Sequence, residues 1–483
     1  MTCGPGAIGV AVRVGGQTAH MFDDLAPHND VFILGAGFSR AVSSLMPLTD
    51  ELGNACLAFN NLAAAPGVPA AFTGGRFETW LSSIAEPQPY QPEPTNLENQ
   101  VLFLKFSDAI GQVLGSRVDD VLSVPPPRWL AKFVTATHVR EATVITFNYD
   151  TLVECAVDYR DIYLPTLAEP VAWTEVTGDV PGWPAGTMRF GATPVDTFRL
   201  LKLHGSLNWF WIPGDASGLS VARRLLPGTF EASVPYTEED RRRQLPARVP
   251  FVVPPSATKS SYYQNRLVRE LWIQAGEALQ AASHVSLIGY SLPTTDLTVS
   301  SMLDRTLGGT QIPVHVVDLY PDDIVGRLRR LDVEASADAG SVTAAEDHVT
   351  AYCEAISREL VVDLRAAPPA FAADPVVIAW SKDEYSAVVG CSAADGVLHL
   401  SVENPQPFGH AVRRREDTVL PTLAEMMGAT PHDGHWIVAV PGGADTEVLD
   451  RIERHHDTGY GAGRWNVLLP SLDLSRQVPR HGA

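Results

Sequence analysis

The sequence is short of basic residues, paired cysteines and long apolar runs, and each shortage excludes a class of protein. Lys and Arg number 36 against 56 Asp and Glu in 483 residues, a formal charge of −20. A general nucleic-acid binder needs a basic footprint to neutralise phosphates, so direct nucleic-acid binding is not expected. The five cysteines, Cys3, Cys56, Cys155, Cys353 and Cys391, are scattered, with no C-x-x-C pair among them. That is not a disulfide framework; it suits free thiols in a reducing compartment. No window reaches the roughly eighteen uninterrupted apolar residues of a membrane helix. The first residues show no basic start followed by an apolar block, the mark of a secretory signal. The expectation is a cytoplasmic chain with no membrane contact.

What is present is ample for a folded core. Apolar residues make up 45% and charged residues 19%, too apolar for a disordered chain. The length suggests roughly two to three domains. Short β-branched and apolar runs at Val31–Leu34, Ala142–Thr146, Leu200–Leu203, Phe251–Val253, Val285–Ile288 and Val314–Val317 read as buried strands. Helical patterns lie between them: Pro47 to about Ala63, Phe77 to Ile84, Leu97 to Leu114, and a helix beginning near Leu152. In the Leu97–Leu114 stretch, Leu97, Leu102, Leu104, Phe106, Ile110 and Val113 are candidate inner positions. Tyr262 to Ala281 carries Leu267, Leu271, Ala275 and Leu279 four residues apart, one face of a helix. Buried strands alternating with helices predict an α/β, mainly parallel Rossmann-like sheet covered on both faces. Cys155 and Cys353 fall on predicted helices and read as core.

Two stretches, 160–197 and 213–249, are rich in Pro, Gly and charge, and read as long surface excursions. Residues 1–365 form the expected large domain, 366–375 a linker, and 376–483 a small α/β domain. In that last part Val376–Trp380, Tyr385–Val389, Val397–Val402, Trp436–Val440 and Trp465–Leu469 read as strands. Leu420–Met427 and Thr446–Arg454 read as helices. His455-His456-Asp457 reads as a solvated helix end before a metal site, and Arg241–Arg243 and Arg413–Arg415 as solvated loops before phosphate sites; Val440-Pro-Gly-Gly443 ends a strand and precedes a helix, with a second, regulatory nucleotide loop as the lesser alternative. Asp322-Asp323 suits a helix start.

Four segments place glycine or polar residues at strand ends. Gly35-Ala36-Gly37-Phe38-Ser39 follows the first strand, where glycines let a backbone approach a pyrophosphate. A plain tight turn explains them equally well. Thr146-Phe147-Asn148-Tyr149-Asp150 follows the second, and Asp150 alone could be an N-cap. Leu203-His204-Gly205-Ser206 and Gly289-Tyr290-Ser291-Leu292-Pro293, with Asp296 beyond, complete the set. Ligands of open parallel sheets sit at the carboxyl ends of the strands, where all four segments fall.

In this order the segments resemble the sirtuin-type NAD-binding fold, and more closely the bacterial sirtuin-like NAD+ hydrolases of antiphage defence. The residues carrying the resemblance are Gly35-Ala-Gly-x-Ser39, Asn148-Tyr149-Asp150, Leu203-His-Gly-Ser206, Pro254-Pro255, Leu271-Trp272 and Gly289-Tyr-Ser-Leu-Pro293, over about residues 28–320. The resemblance implies that Gly35, Ala36, Gly37, Phe38 and Ser39 hold the NAD+ diphosphate and adjoining ribose. Asn148 and Asp150 would line the nicotinamide side, His204 would be the catalytic histidine at the ribose, and Gly289, Ser291 and Asp318 would lie near the adenosine half. Deacylating sirtuins have Gln where this chain has Phe147, and Pro-Asp-Phe-Arg near Pro47-Leu-Thr-Asp-Glu51. They also carry a four-cysteine zinc ribbon that the spacing here cannot build, so no metal is expected.

Cleaving NAD+ at the nicotinamide ribose releases a neutral base, so no general acid is needed. The site must orient the base, stabilise an oxocarbenium-like sugar and position a water. On this reading Asn148 fixes ribose and water, His204 bonds a ribose hydroxyl and acts as base, and Asp150 holds the carboxamide or braces the loop. The implied activity is NAD+ hydrolysis to nicotinamide and ADP-ribose, with antiphage NAD+ depletion as its role. Two alternatives stay open: an NAD-dependent protein deacylase or ADP-ribosyltransferase, and a non-catalytic NAD or ADP-ribose sensor or assembly module. A homo-oligomer is expected, with a partner protein or small-molecule trigger restraining the enzyme. Residues 376–483 are the expected regulatory or assembly module.

Overall fold

A computed structural model describes residues 29–140, 142–159, 198–218, 220–224, 247–257, 259–337 and 347–366, with the short strands Val12–Val14, Gln17–Ala19, Trp173–Glu175, Ile378–Ser381, Ala387–Val389, Thr430–His432, His435–Ala439 and Trp465–Leu469. The central sheet has six strands: β1 (Asp30–Leu34), β2 (Thr143–Thr146), β3 (Arg199–Lys202), β4 (His284–Ile288), β5 (Val314–Val317) and β6 (Ala335–Ala337). Every pairing is parallel, and the order across the sheet is β6-β5-β4-β1-β2-β3. Chain direction across the sheet reverses between β1 and β4, which is the doubly wound, Rossmann-like order.

Alternation along the strands builds two cores. Phe32, Leu34, Val144 and Leu200 face one side, with Phe38, Phe77, Phe106, Phe133, Leu152 and Leu360 packed over them. Val31, Ile33, Ile145, Leu201, Val285 and Leu287 face the other, under Leu267, Leu271, Val299, Leu303 and Leu328. A strand covered on both faces has no solvated side, which is why these runs read as continuous apolar stretches. The helix Arg266–Gln280 buries Leu267, Leu271, Ala275 and Leu279, as the spacing predicts. It is started by Asn265, whose side chain accepts from the Leu267 and Val268 amides.

Several expectations are corrected. The helix placed at Leu97–Leu114 runs from Glu93 to Leu122, and Leu97 and Leu104 are 55% and 65% exposed. Its core stripe is Leu102, Phe106, Ala109, Ile110, Leu114, Val118 and Val121; neither Leu97 nor Leu104 falls on that face. Phe251–Val253 is not a strand of the parallel sheet. Val249–Val252 pairs antiparallel with Gly205–Trp211, which in turn pairs with Ala222–Arg224 and, through it, Trp173–Glu175. Parts of the two supposed excursions therefore supply strands to this small sheet. The helix Arg128–Val139 and strand β6 had no counterpart in the sequence reading, and the helix expected around Cys353 runs from His348 to Ala366. The last of these helices runs to the start of the expected linker.

Beyond it, five short strands form a further sheet in the order Ala387–Val389, Ile378–Ser381, Trp465–Leu469, His435–Ala439, Thr430–His432. These match four of the expected strands. Val397–Val402, Leu420–Met427, Thr446–Arg454, the two Arg triplets, Val440–Gly443 and His455–Asp457 lie outside the described residues. Cys155 and Cys353 are buried in the core, as expected. Among the described residues no helix is long and apolar enough to cross a membrane.

Candidate functional site

The chain-direction reversal between β1 and β4 leaves a crevice at the carboxyl ends of these strands, the place where ligands of open α/β sheets bind. A cavity of about 1040 Å³ opens there. Gly35, Ala36, Gly37, Ser39, Asn148, Asp150, His204, Gly289, Ser291 and Asp318 all line it, so segments far apart in sequence meet at one place. Phe38 does not. Its ring is 1% exposed and packs on Trp129 and Phe133 at 5.4 Å, so it is a core residue and not a ligand contact. An apolar ring in the first turn after a buried strand gains more from the core than from a polar crevice.

The glycines serve a closer purpose than expected. A Cβ at Gly35 would stand 2.5 Å from the Gly289 carbonyl, and one at Gly289 would stand 2.3 Å from the Phe38 amide nitrogen. Gly289 also has φ +60°. The two loops thus pack backbone on backbone, which only glycine permits. The amides of Gly35, Gly37 and Phe38 donate to the carbonyls of Ile288, Gly289 and Gly35. These three donors are committed inside the protein. Gly205, at φ +80°, lets the chain turn sharply from β3 into the antiparallel strand and brings His204 to the cavity. Any side chain there would meet the Phe251 carbonyl at 2.0 Å.

One wall is a chain of short hydrogen bonds. Asn148 Nδ2 donates to the Gly35 carbonyl at 2.8 Å and to Ser39 Oγ at 2.9 Å. Ser39 donates to Asp150 Oδ2 at 2.6 Å, and Asp150 Oδ1 accepts from the Leu152 amide. Asp150 is thus both the helix cap and the brace between the loops after β1 and β2. With both amide hydrogens engaged, Asn148 has its Oδ1 left for a ligand or a water. Behind this wall Lys202 donates to the Asp150 carbonyl and to Glu154 Oε1, the latter at 2.7 Å, with both side chains 3% exposed.

The opposite wall is charged. His204 is 4% exposed, and its Nε2 lies 3.5 Å from Lys259 Nζ, 3.4 Å from the Tyr263 hydroxyl and 3.7 Å from Asp296 Oδ2. Lys259 pairs with Asp296 at 2.9 Å, and Tyr290 donates to the same oxygen at 3.1 Å. Asp296 Oδ1 is buried with no hydrogen-bond partner. Phe147 packs its ring on His204 and Tyr290, at 5.0 and 4.6 Å. Trp272 donates from Nε1 to the Leu203 carbonyl and closes the back of the aromatic layer. Burial, reinforced by Lys259, pushes the His204 pKa down to about 3, against a smaller opposing pull from Asp296. An imidazole so hard to protonate is a poor general base near neutral pH. Burial would raise the Asp296 carboxyl, but its neighbours His204, Lys259 and Tyr290 outweigh that and hold it below its ordinary range. Burial raises Glu78, which also lines the cavity.

Lys259, Tyr263 and Glu78 were not singled out from sequence, whereas Tyr290 and Asp296 were named with the fourth segment but given no role. Lys259 stands close after Pro254-Pro255, which is the signal that could have found it. Glu78 comes from a helix with no motif at all. Asp318 lies at the rim, accepting from the Tyr320 amide at 3.0 Å, beside the exposed Leu319 and Tyr320. Among the described residues no three His, Cys, Asp or Glu side chains gather as a metal site.

No protein-family model matches the chain. No curated protein matches it. Among solved structures, it is similar to one from work on the mechanism and regulation of Sir2 enzymes, at 13% identity and TM-score 0.27, over 64% of this chain and 94% of that one. It is also similar to a Sir2 enzyme with a propionylated peptide, at 13% identity and TM-score 0.27, over 62% and 91%. A third is a Sir2 complex with a p53 peptide and NAD+, at 15% identity and TM-score 0.26, over 62% and 91%. The Rossmann-like class of this chain rests on its own strand order and register.

Proposed function

We propose that the chain is an NAD+ hydrolase that cleaves the nicotinamide–ribose bond to give nicotinamide and ADP-ribose. The observation carrying this reading is the convergence, in one cavity at the β1/β4 reversal, of the Asn148, Asp150, His204 and glycine-loop residues on which the resemblance to sirtuin-like NAD+ hydrolases rests. At about 1040 Å³ the cavity is at the upper end of ligand pockets, roughly 300–1,000 Å³, and has room for a dinucleotide.

The chemistry asks little proton transfer. Nicotinamide leaves neutral, and the sugar left behind needs electrostatic support and a placed water. Asn148 Oδ1 accepts a hydrogen bond from that water, which gives its proton to solvent as its oxygen bonds the sugar, while the amide nitrogen stays anchored to Gly35 and Ser39. His204 bonds a ribose hydroxyl. Asp150 holds the loop. The role by resemblance is antiphage defence through NAD+ depletion, with a homo-oligomer, a partner or small-molecule trigger, and residues 376–483 as its control.

The test is incubation of purified protein with NAD+ and measurement of nicotinamide and ADP-ribose. Asn148→Ala should lower turnover by roughly 10²–10³-fold, the scale of one lost preorganised group. Unchanged turnover in that variant would refute the assignment. Nicotinamide release only with an acyl-lysine peptide present would make the chain a deacylase, and tight NAD+ binding without any release would make it a sensor.

A further inference from the structure

A buried lysine is an odd neighbour for a site that takes a cationic pyridinium. Its position gives it a different task. Three groups face His204 Nε2: the Lys259 ammonium and the Tyr263 hydroxyl at 3.5 and 3.4 Å, and the Asp296 carboxylate at 3.7 Å, beyond hydrogen-bond reach. An ammonium only donates, so the ring nitrogen facing it must be the one that carries no proton. Burial, then Asp296, keeps the Tyr263 hydroxyl protonated, so it too is a donor. Nδ1 has no hydrogen-bond partner among the described residues, and His204 lines the cavity.

We propose that Lys259 is a positioning residue that fixes His204 as the neutral Nδ1–H tautomer, so that the imidazole meets a ligand as a hydrogen-bond donor through Nδ1 and not as a base through Nε2. Asp296 makes this possible. Its Oδ2 takes the Lys259 ammonium at 2.9 Å and balances the charge inside the protein. Without Lys259, the same carboxylate would sit 3.7 Å from Nε2 and draw a proton onto it. The other groups around the pair are Tyr290, bonded to Asp296, and Glu78 and Tyr149, which act on it through space. The remaining faces of the ring are covered by Phe147 and Trp272, which do not titrate. The low pKa of His204 agrees with this geometry. For catalysis the inference rests on the NAD+ reading; for the state of the ring it does not.

The experiment is long-range ¹H–¹⁵N correlation spectroscopy of ¹⁵N-histidine-labelled full-length protein, with His204 assigned by its loss in His204→Gln. The wild type should show the Nδ1–H tautomer and no His204 titration over about pH 5–8. In Lys259→Met the ring should take up a proton within that window, and Lys259→Arg should restore the non-titrating state. A wild-type Nε2–H tautomer, a wild-type titration in the window, or an unchanged ring in Lys259→Met would overturn the proposal. If Lys259→Met does not fold, the wild-type spectrum and Lys259→Arg decide the matter. None of this needs turnover, so a protein that fails to release nicotinamide would refute the hydrolase reading and leave this one standing.

Discussion

The two walls of the cavity solve the same problem in opposite ways. On the Asn148 side, short hydrogen bonds join Asn148, Ser39 and Asp150, and the buried Lys202–Glu154 pair holds the Asp150 backbone from behind. On the His204 side, the contacts to Nε2 are 3.4–3.7 Å, one carboxylate oxygen has no partner, and a charge pair lines the cavity itself. The first wall is a rigid frame whose groups are matched to one another. The second sets the electrical state of the ring beside it. A fully bonded network resists change, whereas a partly bonded buried pair is sensitive to any change in charge.

The comparison breaks most visibly at Lys202. Lys202→Met leaves Glu154 buried and unpaired and frees the Asp150 carbonyl, and should cost about 3–5 kcal/mol of stability. Denaturant unfolding checks this, and a loss under about 1 kcal/mol would mean that the frame does not depend on the pair.

A smaller effect separates the members of the Asn148 wall. Ser39→Ala removes the donor to Asp150 Oδ2 and the acceptor of Asn148 Nδ2, and should lower stability by about 1–3 kcal/mol. Thermal unfolding of Ser39→Ala beside wild type measures it. An unchanged midpoint would show that the network adds geometry without stability.

The finest test is the pH dependence contributed by the other wall. The His204 pKa falls from 6.5 to about 3 on folding, so below pH 6.5 the unfolded chain binds a proton that the folded chain does not. This contribution to stability is complete above pH 6.5 and is lost as pH falls from about 6.5 towards about 3, at up to about 1.4 kcal/mol per pH unit. Denaturant curves of wild type and His204→Gln at pH 7 and 5 should differ in that slope, wild type being steeper. Equal slopes would place a normal histidine at this position.

Much of the frame was readable from the chain. Val31–Leu34, Val285–Ile288 and Val314–Val317 declare themselves as buried parallel strands because both of their faces are apolar. The glycine and Asn-Tyr-Asp motifs declare the loops that follow β1 and β2. The long helix Glu93–Leu122 was legible as a helix but not in its inner face, since Leu97 and Leu104 are as apolar as the residues that are buried. Phe251 looked like another sheet strand, because an apolar run carries no mark of the partner it will pair with.

By itself, then, the amino-acid sequence determined the alternation of buried strands and helices, and with it the loops able to meet at a strand edge. Apolar periodicity and glycine are local properties, written wherever they act. The tertiary structure alone decided that Lys259, Tyr263 and Asp296 surround His204, and that the glycines make room for each other's loops. Charge neutralisation and backbone packing are properties of pairs, and the partners of residues 204 and 289 lie tens to hundreds of residues away along the chain.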